Sequence, residues 1–515
     1  MGSGIAQLGC QAGARTLLYD PDPEALTRGA ERIAAQLRRG AERGRLTHAQ
    51  AEQGIANLQP VSEPAGLAEC ELVIEAAPES LELKRQLFAE IARHVSDRCV
   101  LATNTSSLLV TAVAAPLPHP KRVVGMHFFN PPPVMALLEV VSGVESSPEA
   151  VALARAAGEA MGKHVIVAVD GVGFLVNRCN RPFGLEGLRL VSERIATIEQ
   201  VDRICRLGGG FRMGPFELMD LVGVDTGLDI SRSFFEQSFG EPRWRPSPIT
   251  VKAVAAGRYG RKCGRGYYEY PRDGRHRPAD AEPPAPGGGD GLVVIAGETQ
   301  LAIELAQAAG AAGWTVATPD DAQDLDAPFL ILDLTGSEEP EAPLQGAPQA
   351  ICLHVGSLAA LDPGGSAVGF HALPPLGDSR VVELTAGPDS AESAIAATER
   401  FFQSLGKHTA WVSDAPGLVL GRIVCQVINE AAFALGEGVG SREDIDAGMV
   451  HGLNYPRGIL AWADVIGLDH VLGVLDGLNL EYGEERYRAA PMLRRLALSG
   501  RLGRPTGEGF FTHDS

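Results

Sequence analysis

The two halves of this chain repeat the same residues at a constant spacing, and this repeat limits the possible folds more than any other feature. Residues of the first half recur 244 positions later in the second. The pairs are His127 and His371, Glu139 and Glu383, Asp170 and Asp414, Gly214 and Gly458, Asp220 and Asp464, and Gly223 and Gly467. The stretch GRYGRKCGRGYY at 257–268 also matches GRLGRPTGEGFF at 500–511, at an offset of 243. Because chance does not keep one register over such a span, the sequence predicts a tandem duplication.

Each half joins an α/β part to a helical part. Between residue 16 and about residue 140, the apolar runs TLLYD, LVIEAA, CVLATNTS and RVVGMHF alternate with helical patterns, which predicts strands of a parallel sheet. From about 170 to 270 the strand signals fade, and helical periodicity with Gly and Pro stops predicts a helical domain. The Pro- and Gly-rich segment 271–290 has almost nothing to bury, which predicts a flexible linker.

Composition excludes several classes of protein. The net charge of −19 argues against a nucleic-acid partner, and no apolar run approaches the roughly 20 residues that a membrane span needs. The N-terminus lacks the pattern of a signal peptide. The eight cysteines lie far apart, with no CxxC pair and no Cys/His cluster at metal spacing. We therefore expect a soluble, cytoplasmic protein with reduced, mostly buried cysteines and no metal site.

One local basic patch stands out in this acidic chain. Six arginines occupy a helical stretch that has only two internal acidic counter-charges, Glu31 and Glu42. They are Arg28, Arg32, Arg38, Arg39, Arg43 and Arg45. The pattern is compatible with a solvated helix face and with a site for a small anionic ligand.

A histidine and a carboxylate form the first candidate for catalysis. His127 ends the predicted strand 122–126, at the carboxyl edge where open α/β sheets hold ligands, and Glu139 lies on a run that can return beside it. A carboxylate that fixes the tautomer of a histidine makes a general acid/base unit. A lone histidine there is also compatible with a structural role.

Two further polar positions accompany this pair. Ser106 lies where a strand ends and a helix starts, so it is either a helix N-cap or a substrate ligand. Asn177 lies in the first turn of the predicted helical domain, where an amide can hydrogen-bond a substrate oxygen.

The stretches TNTSSL, HFFNPPPVMALLEVV, GFLVNR and MGPFELMDLVGVD together resemble the L-3-hydroxyacyl-CoA dehydrogenases, which are NAD-dependent β-oxidation enzymes. The duplicated layout is similar to the two-module members associated with phenylacetate catabolism. The resemblance is strong over residues 1–270 and weaker over 290–515. It implies an α/β Rossmann-like domain followed by an all-α, 6-phosphogluconate-dehydrogenase-like C-terminal domain, duplicated in tandem.

The resemblance also implies domain bounds and residue roles. The domains are a Rossmann-like NAD-binding domain (1–168), a helical domain (169–270), the linker (271–290), a degenerate Rossmann-like domain (291–412) and a second helical domain (413–515). His127 is implied as the catalytic base with Glu139 as its partner, while Ser106 and Asn177 hold the oxygens of an acyl-CoA substrate. For the cofactor, Asp20 binds the adenine ribose, Gly2 belongs to the phosphate turn, and Glu79, Lys84 and Asn104 line the cleft for NAD and CoA. An acidic residue in the place of Asp20 favours NAD over NADP.

The start of the chain departs from the family pattern. Met1-Gly2 matches only the end of the family's G-x-G-x-M-G turn, so the preceding strand and the first two glycines are missing. Those glycines let the backbone approach the pyrophosphate. We expect a start codon assigned at an internal methionine, with true loss of function as the alternative.

The second copy departs further. Thr299 and Ala302 replace two glycines of its turn, and Gly421 stands where the first copy has Asn177. We therefore expect one active site per chain, and a second copy kept as a structural module whose helical domain pairs with the first as an internal pseudo-dimer.

Two alternatives remain open at this stage. One is a binding or structural protein that has kept the fold without the nucleotide turn. The other is a β-hydroxyacid dehydrogenase acting on free acids, which relies on a lysine in a helix that here reads GFLVNRCNRPFG, without lysine.

Overall fold

The computed structural model of the protein describes residues 1–272, 275–322, 327–337 and 346–513. The chain forms two compact units. Unit 1 consists of Met1–Arg178 together with Glu437–Asn454, and unit 2 consists of Cys179–Gly436 together with Tyr455–Ser515. A short segment of the second copy therefore belongs to the unit that contains the first α/β domain.

The first α/β domain contains seven strands. They are β1 (Thr16–Tyr19), β2 (Leu58–Val61), β3 (Leu72–Glu75), β4 (Val100–Thr103), β5 (Val123–Phe128), β6 (Leu137–Ser142) and β7 (His164–Val169). All four strands expected from the apolar runs are present. Strands β3 to β7 form one five-stranded sheet in chain order, and β1 and β2 pair in a separate sheet. Strands β3, β4 and β5 pair in parallel, which confirms the expected parallel sheet, and β6 then runs antiparallel to β5.

Six helices accompany these strands. They are α1 (Gly2–Gln11), α2 (Pro23–Glu42), α3 (His48–Ala56), α4 (Leu81–Ile91), α5 (Val110–Ala114) and α6 (Pro148–Ala160). Apolar residues of α1 and α6 pack on one face of the five-stranded sheet, and those of α4 and α5 pack on the other. Burial of both faces explains why β4 and β5 read as continuous apolar runs.

The helices of the first helical part are α7 (Val176–Cys179), α8 (Arg181–Ser192), α9 (Ile198–Gly209), α10 (Pro215–Val222), α11 (Val224–Gln237) and α12 (Pro248–Ala255). The second α/β domain has strands β8 (Leu292–Ala296), β9 (Thr315–Ala317), β10 (Leu330–Asp333), β11 (Gln349–Cys352), β12 (Val368–His371), β13 (Val381–Ala386) and β14 (His408–Trp411). Its helices are α13 (Gln300–Ala312), α14 (Leu358–Leu361) and α15 (Glu392–Ser404). Its sheet is continuous, in the order β14-β13-β12-β11-β10-β8-β9.

The last five helices are α16 (Leu420–Gly436), α17 (Arg442–Leu453), α18 (Ile459–Ile466), α19 (Leu468–Tyr482) and α20 (Pro491–Leu498). Within unit 2, α8 packs along α16. Arg422 of α16 donates from Nε to Glu186 of α8 at 2.9 Å and from Nη1 to Glu193 at 2.6 Å. The two helical parts therefore contact each other through a buried ion pair as well as through apolar side chains.

A buried aspartate explains why the ends of the two copies repeat. Asp220 accepts hydrogen bonds from the backbone amides of Tyr267 and Tyr268. Asp464 accepts the same pair of bonds from Phe510 and Phe511. A Cβ on Gly260 would lie 2.3 Å from the carbonyl oxygen of Asp220, at a φ of +93°, so only glycine fits that turn.

The expectation of a free linker at 271–290 is wrong for its described residues; 273 and 274 lie outside them. His276 and Arg277 both bind the carboxylate of Glu217, at 2.9 and 2.6 Å. Asp280 pairs with Arg206 at 3.2 Å. Composition suggested a coil because nothing apolar is buried here, whereas ion pairs with Glu217 and Arg206 of the same unit hold the described residues of the segment.

Candidate active site

His127 and Glu139 meet because β5 and β6 are antiparallel and place the two residues directly opposite each other. Nδ1 of His127 lies 2.6 Å from Oε2 of Glu139. The carboxylate is fully buried, and the imidazole is 8% exposed. Binding Nδ1 to a fixed carboxylate leaves Nε2 as the ring nitrogen available to a substrate. The predicted pair is therefore present in the geometry of a general acid/base dyad.

The second oxygen of Glu139 ties the dyad to the segment that carries Asn177. Oε1 accepts hydrogen bonds from the amides of Leu175 and Val176, at 3.2 and 3.0 Å. Asn177 follows directly, as the second residue of the short helix α7, and belongs to the same compact unit. The carboxylate therefore orients the histidine and anchors the backbone next to the amide side chain.

Ser106 lies on an exposed turn after β4 and does not cap a helix, so the N-cap interpretation is wrong. Helix α5 begins later, with Leu109 at the N-cap position and the carboxylate of Asp170 accepting from the amides of Val110 and Thr111. The turn is held by Glu79. Its Oε1 accepts from the Ser106 amide at 3.0 Å.

Glu79 binds the rest of this turn as well. The same Oε1 accepts from the hydroxyl of Thr105 at 2.5 Å and that of Ser107 at 2.9 Å. Burial by itself would raise the pKa of Glu79, but these hydrogen bonds and the charge of Lys84 outweigh it, so the pKa lies below its ordinary value. Glu79 is an ionised anchor for the Ser106 turn, a role that the motif alone did not indicate.

Lys84 and Asn104 are both engaged by protein groups. Nζ of Lys84 is buried and binds both oxygens of Glu75, at 2.8 and 3.0 Å, and lies 3.4 Å from Glu79. Oδ1 of Asn104 accepts from the amide of Phe128, the residue after His127, at 2.8 Å. These two residues hold the strand ends that carry the polar groups.

Sequence reasoning missed the aromatic surroundings of the dyad. The ring of His127 lies 4.8 Å from that of Phe129 and 5.8 Å from that of Phe174, between ring centres. The two phenylalanines that follow the histidine in the motif HFF could have indicated these aromatic surroundings.

Asp20 lies at the two-stranded sheet of unit 1, whereas Gly2 lies beside Ala76, the residue that follows β3 by one position. Asp20 follows the last residue of β1, and its Oδ1 accepts from the amide of Asp22 at 3.0 Å. Gly2 opens α1, whose N-cap residue, Met1, makes no side-chain capping bond. A Cβ on Gly2 would make only ordinary contact, at 3.7 Å from Ala76.

The second copy places His371 opposite Glu383 in the same register, but the dyad is dismantled. The two carboxylate oxygens of Glu383 accept from the amides of Val419 and Leu420, at 2.7 and 3.0 Å. His371 instead places Nε2 3.1 Å from Nε2 of His470, and its Nδ1 has no hydrogen-bond partner among the described residues. A Cβ on Gly421 would lie 2.2 Å from this ring, so the loss of the asparagine makes room for it.

The burial of Glu383 and His371 changes the charge that each group carries near neutral pH. Burial raises the pKa of Glu383 to about 8, against the opposing effect of two backbone hydrogen bonds, and lowers that of His371 to about 3. Both groups are therefore neutral near pH 7. Thr299 also caps α13 by accepting from the Ala302 amide, which occupies a donor that would otherwise face a phosphate.

The raised pKa of Glu383 predicts a pH-dependent effect of Glu383→Gln on stability. The folded protein keeps the proton up to about pH 8, whereas the unfolded chain releases it near pH 4.5, so wild type loses stability between these values. Glutamine has no proton to lose. The free energy of unfolding of the variant, relative to wild type, should rise by up to about 1.4 kcal/mol per pH unit over this range and then level off. Denaturant unfolding at pH 5, 6.5 and 8 measures it, with the exposed Glu298→Gln as control. A difference that does not change with pH would show that Glu383 is ionised in the folded protein.

Comparison of the chain with known proteins identifies its family. Residues 1–171 match the 3-hydroxyacyl-CoA dehydrogenase NAD binding domain, and residues 173–270 and 417–513 match the 3-hydroxyacyl-CoA dehydrogenase C-terminal domain. The chain belongs to the 3-hydroxyacyl-CoA dehydrogenase family. The repeated match of the C-terminal domain agrees with the duplication read from the spacing.

Some relatives match nearly the whole chain, and others match only about half of it. The chain is 34% identical to the 3-hydroxyadipyl-CoA dehydrogenase of Escherichia coli over 97% of this chain and 95% of that protein. It is 40% identical to a probable 3-hydroxybutyryl-CoA dehydrogenase of Bacillus subtilis over 52% of this chain and 94% of that protein. A crystal structure of a 3-hydroxybutyryl-CoA dehydrogenase from Escherichia coli matches with a TM-score of 0.78 and 33% identity, over 97% of both chains.

The protein is an NAD-dependent oxidoreductase, as this dehydrogenase family implies. The donor set fits the cofactor, because a carboxylate follows β1 and polar side chains follow β3 and β4, at the carboxyl ends of parallel strands. Within the described residues, no group of His, Cys, Asp and Glu is arranged to hold a metal ion. None of the described helices has the length and apolar character to cross a membrane.

Proposed function

We propose that the chain oxidises the 3-hydroxyl of an (S)-3-hydroxyacyl-CoA at a single site in the first copy, with His127 as general base. The observation that carries this proposal is the contrast between the two copies: His127 is bound to Glu139, whereas His371 has left Glu383. NAD supplies the acceptor for the hydride that leaves C3. Nε2 of His127 takes the hydroxyl proton, and the buried Glu139 stabilises the imidazolium that forms.

The polar turn and the amide complete the proposed site. The hydroxyl of Ser106 and the side chain of Asn177 donate to the substrate oxygen that becomes the carbonyl. Glu79 fixes the turn that carries Ser106, and the amides next to Asn177 are fixed by Glu139. Asp20 accepts a hydrogen bond from the ribose 2′-hydroxyl and repels a 2′-phosphate, which favours NAD over NADP.

A cavity of about 390 Å³ in unit 1 supports a place for the CoA phosphates. It runs from the start of α1 to the segment Asn130–Val134, which follows His127 in the chain. The α2–α3 hairpin, residues 23–56, contributes four arginines to its lining, namely Arg32, Arg39, Arg43 and Arg45. None of the four forms an ion pair within the described ranges, whereas Arg28 pairs with Asp22 and Glu24, and Arg38 with Glu52. Unpaired cations at the mouth of a cavity suit a polyanionic group.

Removing two cavity arginines tests this assignment. The double variant Arg43→Ala/Arg45→Ala should raise the KM for acetoacetyl-CoA about tenfold and leave kcat within about threefold, since each exposed contact contributes about 1 kcal/mol or less. The KM for acetoacetyl-pantetheine, which lacks the nucleotide phosphates, should not change. The matched control is Arg28→Ala/Arg38→Ala, which removes the same charge from the same hairpin outside the cavity. An equal rise in KM for both thioesters, or an equal effect of the control, would contradict the assignment.

We also propose that the second copy acts as the internal partner of the first. The packing of α8 on α16 and the buried pair of Arg422 with Glu186 support an internal pseudo-dimer of helical domains.

A further inference from the structure

We propose that residues 437–454 of the second copy, here called the docking segment, position the dyad of the first copy, and that three glycines of this segment make the necessary close contacts. The inference rests on the proposed function, because it concerns the same dyad. It gives the second copy a part in catalysis even though its own site is dismantled.

The docking segment is an integral part of unit 1. It contains α17, which packs on β6 and β7, the strands beside the dyad. Its Val439 carbonyl accepts from the amide of Val169 at 2.8 Å. Its Glu437 pairs with Arg178, the residue after Asn177, at 2.8 Å. The segment is therefore held at both ends of the stretch 169–178.

Three glycines of the docking segment lie so close to side chains of the first copy that an added Cβ would require a neighbouring side chain to shift. A Cβ on Gly440 would lie 2.7 Å from Cδ2 of Leu175, and one on Gly448 would lie 2.7 Å from Cγ2 of Val176. A Cβ on Gly452 would lie 2.6 Å from Cδ2 of Leu137. Each distance is shorter than carbon atoms tolerate, so a side chain there would displace its neighbour.

Two of these neighbours bind Glu139, and the third lies on the same strand as Glu139. Leu175 and Val176 donate their amides to its Oε1, and Leu137 precedes it by two residues on β6. Gly452 also faces Phe129, at 3.5 Å from its Cε1, and the Phe129 ring lies against His127. The contacts of the docking segment thus converge on both members of the dyad.

The internal repeat supplies a comparison. At an offset of 244, the docking glycines correspond to Ala196, Ile204 and Gly208. Helix α9 carries the last two and packs on β13 in unit 2, where a Cβ on Gly208 would lie 3.0 Å from Cδ2 of Leu420, the counterpart of Val176, and 3.3 Å from Val381, the counterpart of Leu137. Two of the three matching positions, one before α9 and one on it, therefore carry side chains. A constructed Cβ would lie within 2.7 Å of a first-copy side chain at all three docking glycines, beside the intact dyad, whereas at the matching Gly208 the nearest atom is 3.0 Å away.

Alanine at Gly452 tests the inference in the full chain. Gly452→Ala should lower kcat for acetoacetyl-CoA reduction by about 10- to 100-fold, because a small misplacement of a catalytic group has that effect. The KM for acetoacetyl-CoA and the KM for NADH should each stay within about threefold of wild type. The matched variant Gly208→Ala should alter thermal stability by a similar amount and leave kcat within about twofold. Gly440→Ala, which lies before α17, is the second variant and should show the same selective loss of kcat.

A compensating substitution separates positioning from general damage. Leu137→Val removes the Cδ2 atom that the new methyl group would strike and gives this position the residue found in the second copy. Gly452→Ala/Leu137→Val should therefore recover kcat to within about threefold of the Leu137→Val single variant. A folded Gly452→Ala protein with wild-type kcat, an equal loss in Gly208→Ala, or no recovery in the double variant would each overturn the inference. A wild-type chain without turnover would instead overturn the proposed function itself.

Discussion

Replacing His127 with glutamine is expected to lower kcat for 3-hydroxyacyl-CoA oxidation by about 10³-fold, because general base catalysis by a positioned side chain contributes about 10²- to 10⁴-fold. Glutamine keeps much of the volume and a hydrogen-bonding group near Glu139, but it does not accept the hydroxyl proton. The KM for the acyl-CoA should change little, since the imidazole acts on the transition state more than on binding. Initial rates of NADH formation, with acyl-CoA varied at saturating NAD, measure both constants.

The internal repeat provides the control for this variant. His371→Gln changes the matching residue of the second copy, which is bound to His470 and has no carboxylate on Nδ1. Its kcat per folded molecule should stay at the wild-type value. A His127→Gln protein within tenfold of wild type would exclude His127 as the base, and a large loss in His371→Gln would exclude the single-site model.

Replacing Arg422 with methionine is expected to destabilise unit 2 by about 3 kcal/mol, because removing one partner of a buried ion pair leaves the other charge uncompensated. Arg422 is fully buried and donates to Glu186, Glu193 and Tyr487. Burial by itself would raise the pKa of Glu186, but Arg189, Arg422 and Arg486 outweigh it and hold the pKa at about 2. When Arg422 is lost, the buried Glu186 carboxylate stays ionised beside Arg189 and loses one of the charges that balance it.

Arg494→Met is the matched control, because it removes the same side chain from a pair with Asp476 that is about two-fifths exposed. Such surface pairs contribute about 0 to 1 kcal/mol. Denaturant unfolding followed by tryptophan fluorescence and circular dichroism compares the two variants, since Trp462 lies in the buried core of unit 2. Equal midpoints for both variants would mean that the buried network does not stabilise the contact between α8 and α16.

Part of the site was predictable because it depends on local order. A strand, a short return and a second strand bring residues 12 positions apart into register, so His127 and Glu139 were recognisable as a pair before the fold was known. The domain bounds and the roles of Ser106, Asn177, Asp20 and the other site residues stay predictions. The motif did not indicate that Glu79 organises the Ser106 turn, because that contact joins residues 27 positions apart through a single carboxylate oxygen.

The linker and the second dyad show the opposite case. Composition predicted a free coil, but His276 and Arg277 bind Glu217. The composition of the segment does not indicate this partner, because Glu217 lies elsewhere in the chain. His371 and Glu383 keep both residues and the register of a dyad, yet the ring turns to His470, 99 positions away. The sequence therefore keeps both residues of the pair, although their side chains no longer bind each other in the folded protein.

Periodicity and the 244-residue offset were sufficient for the alternation of α/β and helical parts and for the duplication, because these properties follow from the apolar pattern and backbone preferences of consecutive residues. The family came from the resemblance of four motifs to known dehydrogenases. The assignment of one intact dyad and one dismantled dyad required the folded chain, as did the placement of the docking segment on the first copy. Those features depend on which side chains, distant in the sequence, bind the same oxygen or fill the same space. The local sequence around each residue does not show which of these contacts will form.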